Sequence, residues 1–219
     1  MSDIRVVGST VPTRKTADDS FISPRATRDG TLATLSYFDV LSQEGRVFCA
    51  NNGSATTPLT FLIVGANRPD AWLRVPSGTT CLPILCAVQY EAAAGTVTEA
   101  MLRSAQNDIG NGTSTAASLG PISTKTTSSY TAGVVCRHLA TGDTTAETNP
   151  VELFRSTYAF AQATAEGNDP LKIVITRELM GYPVLVGPAS LSLLIDATTT
   201  QATGFVTWIW AEIPTTAID

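Results

Sequence analysis

His138, in the run "VVCRHLA", is the only histidine of the chain. An imidazole with a nearby acid could act as a general base near neutral pH. Nothing around it completes such a site. The sequence contains no HExxH, no GxSxG, no P-loop and no dinucleotide-binding fingerprint. A lone histidine inside a strand-like run reads as a packing or surface residue.

The four cysteines, Cys49, Cys81, Cys86 and Cys136, form no CxxC pair. With a single histidine they do not assemble the ligand spacing of a zinc site. Their expected state is reduced and buried. Cys81 and Cys86 have opposite parity on one strand, so the expectation is that they face opposite sides. Asp18-Asp19 is the only adjacent carboxylate pair. Asp108 with Asn107 and Asn111 supplies the oxygen ligands calcium takes, yet Asn and Asp also favour turns for backbone reasons. "GNGTSTAASLG" (110–120) carries glycines but lacks the lysine and the strand–helix context of a phosphate cradle. It reads as a loop. "NGS" (52–54) and "NGT" (111–113) match the glycosylation pattern and fall where hairpin turns are expected. The expectation is therefore no enzyme, no cofactor and no metal.

The elements that would position these residues are strands. The chain has 219 residues, 43% hydrophobic and only 15% charged. That is enough for a substantial core, with a polar surface supplied largely by Thr and Ser. Net charge is −5, and no long basic run exists. This argues against phosphate-backbone contacts and so against direct nucleic-acid binding. The N-terminus lacks the apolar block of a secretion signal, and no stretch approaches a membrane span. Synthesis in a cytoplasm is expected.

Residues 1–30 differ from the rest. Arg5, Arg14, Lys15, Arg25 and Arg28 against Asp3, Asp18 and Asp19 give +2 over residues 1–28, leaving −7 for the remainder. Pro12, Pro24 and the absence of periodicity point to an extended arm, about 90 Å long at full stretch. After Gly30 come short apolar runs bounded by turn residues: 31–41, 46–50, 60–66, 71–76, 80–93, 96–106, 133–140, 151–161, 171–179, 183–187, 189–197 and 205–214. Pro83 marks an edge or a bulge in the long run 80–93. "DVLSQEG" (39–45) could form one helical turn. Many short strands with polar turns predict an all-β sandwich or barrel.

The last run, "FVTWIWAEIP", is apolar on both faces. A half-buried strand should have one polar face. Val206, Trp208 and Trp210 share a side, and a soluble monomer rarely leaves such a patch in water. A second copy of the chain is the expected cover, with the loop 107–132 as the other candidate. Val206, Trp208, Trp210 and Trp72 are thus candidate subunit-interface residues, with Arg14 and Phe21 from the arm.

The stretch "YPVLVGPASLSLLIDATTTQATGFVTWIWAEIP" (182–214) resembles the end of jelly-roll virion proteins of bacterial viruses. "RPDAWLRVPSGTTCLPI" (68–84) and "SAQNDIGNGTSTAA" (104–117) share the likeness, and "GSTVPTRKT" (8–16) echoes the opening of such proteins more loosely. The resemblance implies a jelly-roll antiparallel β-sandwich over residues 31–219 behind the arm. It implies a virion structural protein, located in the virion and self-assembling into trimers or pentamers beside other virion proteins. Its place would be the capsid shell, its decoration, or a vertex or tail. It carries no active site. The weakly basic arm departs from direct genome contact. The alternative is a receptor- or glycan-binding sandwich, an adhesin or lectin, using Trp72 or the loop 107–132. A metal-dependent cupin barrel is disfavoured by the single histidine.

Overall fold

The computed structural model describes residues 36–214, apart from 55, 62–67, 93–96, 111–112, 117–118, 142–143, 160–171 and 198–200. The expected arm, with Arg14 and Phe21, lies outside the described residues. In chain order the elements are α1 (Tyr37–Glu44), β1 (Val47–Asn52), β2 (Leu59–Thr60), β3 (Ala71–Val75), β4 (Thr79–Ala92) and β5 (Val97–Ala105). There follow β6 (Thr113–Ala116), β7 (Leu119–Ser123), β8 (Val135–Thr141) and β9 (Val151–Ala159). The last are β10 (Lys172–Thr176), β11 (Leu185–Val186), β12 (Ala189–Ala197) and β13 (Thr203–Pro214).

The part of 31–41 expected as strand is helical from Tyr37, because a local start signal overrides the apolar alternation. Ser36 accepts a hydrogen bond from the Asp39 N–H, and the Asp39 carboxylate accepts one from the Ser36 N–H. This reciprocal cap satisfies two donors a helix start would otherwise leave bare. Gly45 ends the helix at φ 80°, a left-handed conformation that suits glycine.

Two antiparallel sheets pack face to face. One runs β10-β4-β13-β1-β7, with β11 on β4 and β2 on β13; the other runs β6-β8-β3-β12-β5-β9. All described pairings are antiparallel. The all-β sandwich expected from the strand pattern is present. β6 and β7 fall within 107–132, which reads as loop in the sequence; the Thr-Ser-Thr-Ala of β6 gives no apolar alternation, and in β7 Leu119 and Ile122 have opposite parity around Pro121.

Register explains which side chains meet. Phe48 lies opposite Trp210 and Ala50 opposite Trp208 on one side of β13; Cys86, Val88 and Pro83 lie opposite Trp208, Val206 and Trp210 on the other. Side chains directly opposite share a face. All of these except Pro83 join Leu73, Leu102, Leu191 and Leu193 in the core between the sheets. The register slips beside Pro83, leaving Ile84 as an extra residue, so the bulge anticipated from the proline forms. The slip inverts the parity of β4. Cys81 and Cys86 therefore both face the core, which corrects the expectation of opposite sides.

The outward face of the upper half of β13 is covered by α1. Leu41 packs with Val47, Leu82, Ala211 and Ile213, while Phe38 touches the same group beside Ile84 and Ile209. The strand is apolar on both sides because it has a sheet beneath it and a helix above it.

Trp208→Ala is expected to lower the unfolding free energy by about 3–5 kcal/mol through the cavity it opens. Phe205→Ala, on the outward and partly exposed side, should cost less than half of that. Urea unfolding of both variants checks the assignment of faces.

Candidate functional site

Val206, Trp208, Trp210 and Trp72 are all at most 1% exposed in the single chain. They offer no surface to a neighbour, so their assignment to a subunit interface is corrected. Alternation placed Val206, Trp208 and Trp210 on one face correctly, but that face looks inward. Trp72 sits on the outward side of the second sheet, opposite Ser192, where Ile109 and Leu139 cover it. A sugar has no access to that ring. The loop residue Ile109 does cover a tryptophan, though not one of those on β13.

The residues around Ile109 are held by their own polar side chains. Asn107 donates to the Ala146 carbonyl at 2.9 Å and accepts from the Thr148 N–H at 2.7 Å. Asp108 accepts from the Gly110 N–H and from the Arg74 guanidinium. Two of the three residues considered for calcium are thus engaged in fixing the loop. Asn111 lies outside the described residues.

Glu212 is a buried acid of the fold. Its Oε1 accepts from Trp210 Nε1–H at 2.8 Å and from the Val134 N–H at 3.0 Å; its Oε2 accepts from the Gly133 N–H at 2.7 Å. Three donors replace the water a buried carboxylate has lost. They tie the end of β13 to the turn entering β8.

His138 joins a polar chain across the sandwich. Cys136 Sγ–H donates to Asn52 Oδ1 at 3.2 Å, and Asn52 Nδ2–H donates to His138 Nδ1 at 3.2 Å. Burial pushes the Cys136 thiol far above its ordinary range, so it stays protonated and is no thiolate nucleophile. Burial also lowers the His138 pKa. The trio links β1 to β8 through a neutral imidazole.

The exposed apolar groups lie elsewhere. In "YPVLV" (182–186), Tyr182, Val184 and Val186 point to solvent at 58%, 49% and 47% exposure, while Leu185 is buried. Tyr182 holds φ at 58°, an uncommon conformation for a bulky residue, fixed by its N–H donating to the Arg177 carbonyl. Val184 and Val186 share a cleft of about 320 Å³ with Val151, rimmed by Ser104, Gln106 and Asn149. Val151 is 55% exposed. Leu179, in the turn before Tyr182, is exposed too. This band follows one edge of the sandwich. Its signal in the sequence was the alternation of 182–186, too short to single out.

Among the described residues no group of three or more His, Cys, Asp or Glu could hold a metal ion, and no helix is long and apolar enough to cross a membrane. The chain matches no protein-family model and no curated protein.

Removing the Glu212 carboxylate should leave three buried donors unpaired. Glu212→Ala is expected to cost at least about 3 kcal/mol by chemical denaturation, with tryptophan emission reporting the disturbed Trp210. For His138 the folded chain favours the neutral ring, so the unfolded state binds the proton more readily. Its contribution is present above the unfolded pKa near 6.5 and is lost as pH falls below it. The urea midpoint of the native chain should fall more steeply than that of His138→Gln between pH 7 and pH 5.

Proposed function

We propose that the chain is a structural protein of a virus particle, of the jelly-roll kind that builds or decorates capsids of bacterial viruses. The observation that carries this reading is the strand order. β1-β13-β4-β10 faces β3-β12-β5-β9, so these strands alternate between sheets along the chain except at the β5-β9 pair, and the last strand lies beside the first. Two nested Greek keys would produce such an order, which supports the jelly-roll reading. The resemblance of residues 68–84 and 182–214 to virion proteins favours the same reading over other jelly rolls. Trp72, one of the two places a glycan-binding reading would use, lies beneath Ile109, a residue of the other, the loop 107–132.

The work of such a protein is to bind copies of itself and other virion proteins. With the tryptophans inside, the contact surface is the edge band of Val151, Leu179, Tyr182, Val184 and Val186. Covering five half-exposed side chains contributes on the order of 1 kcal/mol each. Association costs at least about 4 kcal/mol in lost freedom. The band therefore anchors a contact that must extend over its polar rim, towards about 800 Å² per partner.

Sedimentation velocity and electron microscopy of the purified chain test this. Closed rings or shells of 23.0 kDa subunits are expected, with Val184→Asp/Val186→Asp shifting the population to monomer. A 23.0 kDa species alone at tens of micromolar (a concentration chosen as roughly 10 to 100 times a micromolar Kd) would overturn it.

A further inference from the structure

The turn 176–182 holds an arginine in place. Within it the Met180 N–H donates to the Thr176 carbonyl, the Gly181 N–H to that of Glu178 and the Tyr182 N–H to that of Arg177. Met180 is buried and anchors the turn. The Arg177 guanidinium lies 4.6 Å from the centre of the Phe38 ring and 5.5 Å from that of Tyr182. Stacking on two rings orders a long side chain in advance, so less freedom is lost when it binds. Yet among the described residues Arg177 forms no ion pair, and its Nε–H has no hydrogen-bond partner. Leu179 and Tyr182 flank it at 54% and 58% exposure.

The other end of β4 carries the complementary charge. The Arg177 N–H bonds to the Ile84 carbonyl, and Glu91 stands seven residues further along the strand, about 23 Å away. Glu91 is exposed and, among the described residues, forms no ion pair. It shares the outward face with Gln89, since Tyr90 between them points into the core. Each end also holds one charge of the opposite sign. Exposed Glu178 follows Arg177, hydrogen-bonded to the Thr176 side chain. Exposed Lys172 lies opposite Gln89 and so diagonal to Glu91. Beside Lys172 and Gln89 a cleft of about 300 Å³ has apolar walls of Ala87, Val174 and Phe205.

We propose that copies of the chain join head to tail: the turn 176–182 of one sits on the Glu91 end of the next, with Arg177 on the partner's Glu91, Glu178 on the partner's Lys172 and Leu179 in the partner's cleft. Resting on the reading of a self-assembling chain, this contact gives the edge band its counterpart, because Leu179 and Tyr182 belong to that band. A contact between unlike surfaces propagates from copy to copy and closes into a ring when the rotation per copy allows. The two ion pairs run in opposite senses, plus to minus and minus to plus. A contact shifted sideways would bring like charges together, so the pairs fix its register.

Sedimentation equilibrium reads the dissociation constant of the assembly. Arg177→Glu and Glu91→Arg should each raise it about tenfold or more. Arg177→Glu/Glu91→Arg restores opposite charges across the contact and should bring the constant below that of either single variant. Tryptophan emission checks that each variant is folded. A double variant no tighter than the single ones, beside a native chain that assembles, overturns this contact and leaves the self-assembling reading standing. A native chain that stays at 23.0 kDa overturns both. Carbodiimide cross-linking of the native assembly needs no variant. Within one chain Lys172 stands about 17 Å from Arg177 along β10, and Glu178 lies beyond, too far for a link that requires contact. A Lys172–Glu178 link in cross-linked dimers is expected, and its absence from an assembled chain overturns the contact.

Discussion

The fold depends on β13 lying at the centre of its sheet. It is hydrogen-bonded to β1 on one side and to β4 on the other, so each backbone edge is paired by a long partner. Its inward face carries Val206, Trp208 and Trp210, the bulkiest group in the core. Its outward face meets α1. Few strands bury both faces and both edges. On its inward face such a strand needs every polar group partnered, and Glu212 is accommodated because three donors converge on it.

From β13 the organisation spreads outward. The bulge at Ile84 keeps β4 in register with it while turning both Cys81 and Cys86 inward. Gly204 lies against β4 so closely that a Cβ there would collide with the Gln89 carbonyl. The Cys136–Asn52–His138 chain then connects the sheets at the neighbouring strand β1. These polar groups tie strands together, each replacing water with a partner. Arg46 does the same outside the core, its guanidinium 4.3 Å over the Tyr130 ring and bonded to Glu44.

Much of this was legible in the sequence. Alternation located most of the strands, because period-two burial is what defines a half-buried strand. Pro83 announced its bulge, since proline cannot serve a regular ladder. What alternation could not say is which face looks inward when both are apolar. The decision rests on α1, whose signal was a Ser-x-x-Asp cap at Ser36 and Asp39 rather than periodicity. β6 was invisible for the opposite reason, since its small polar residues carry no face preference, and in β7 Leu119 and Ile122 fall on opposite parities around Pro121. The edge band was hidden in a five-residue stretch where Pro183 weakens any strand reading.

The central place of β13 also has a consequence for biosynthesis. The hydroxyl of Thr207 meets the side chain of Asn51 across 156 positions of chain. While the ribosome is still adding residues, β1 and β4 face each other across a missing strand, with open backbone edges and an uncovered greasy slot. That gap closes only when the tryptophan-bearing segment clears the exit tunnel. Folding of this sheet is thereby held back until β13 has been made, and nascent chains crowded on one message are exposed to mispairing for as long as the slot stays vacant.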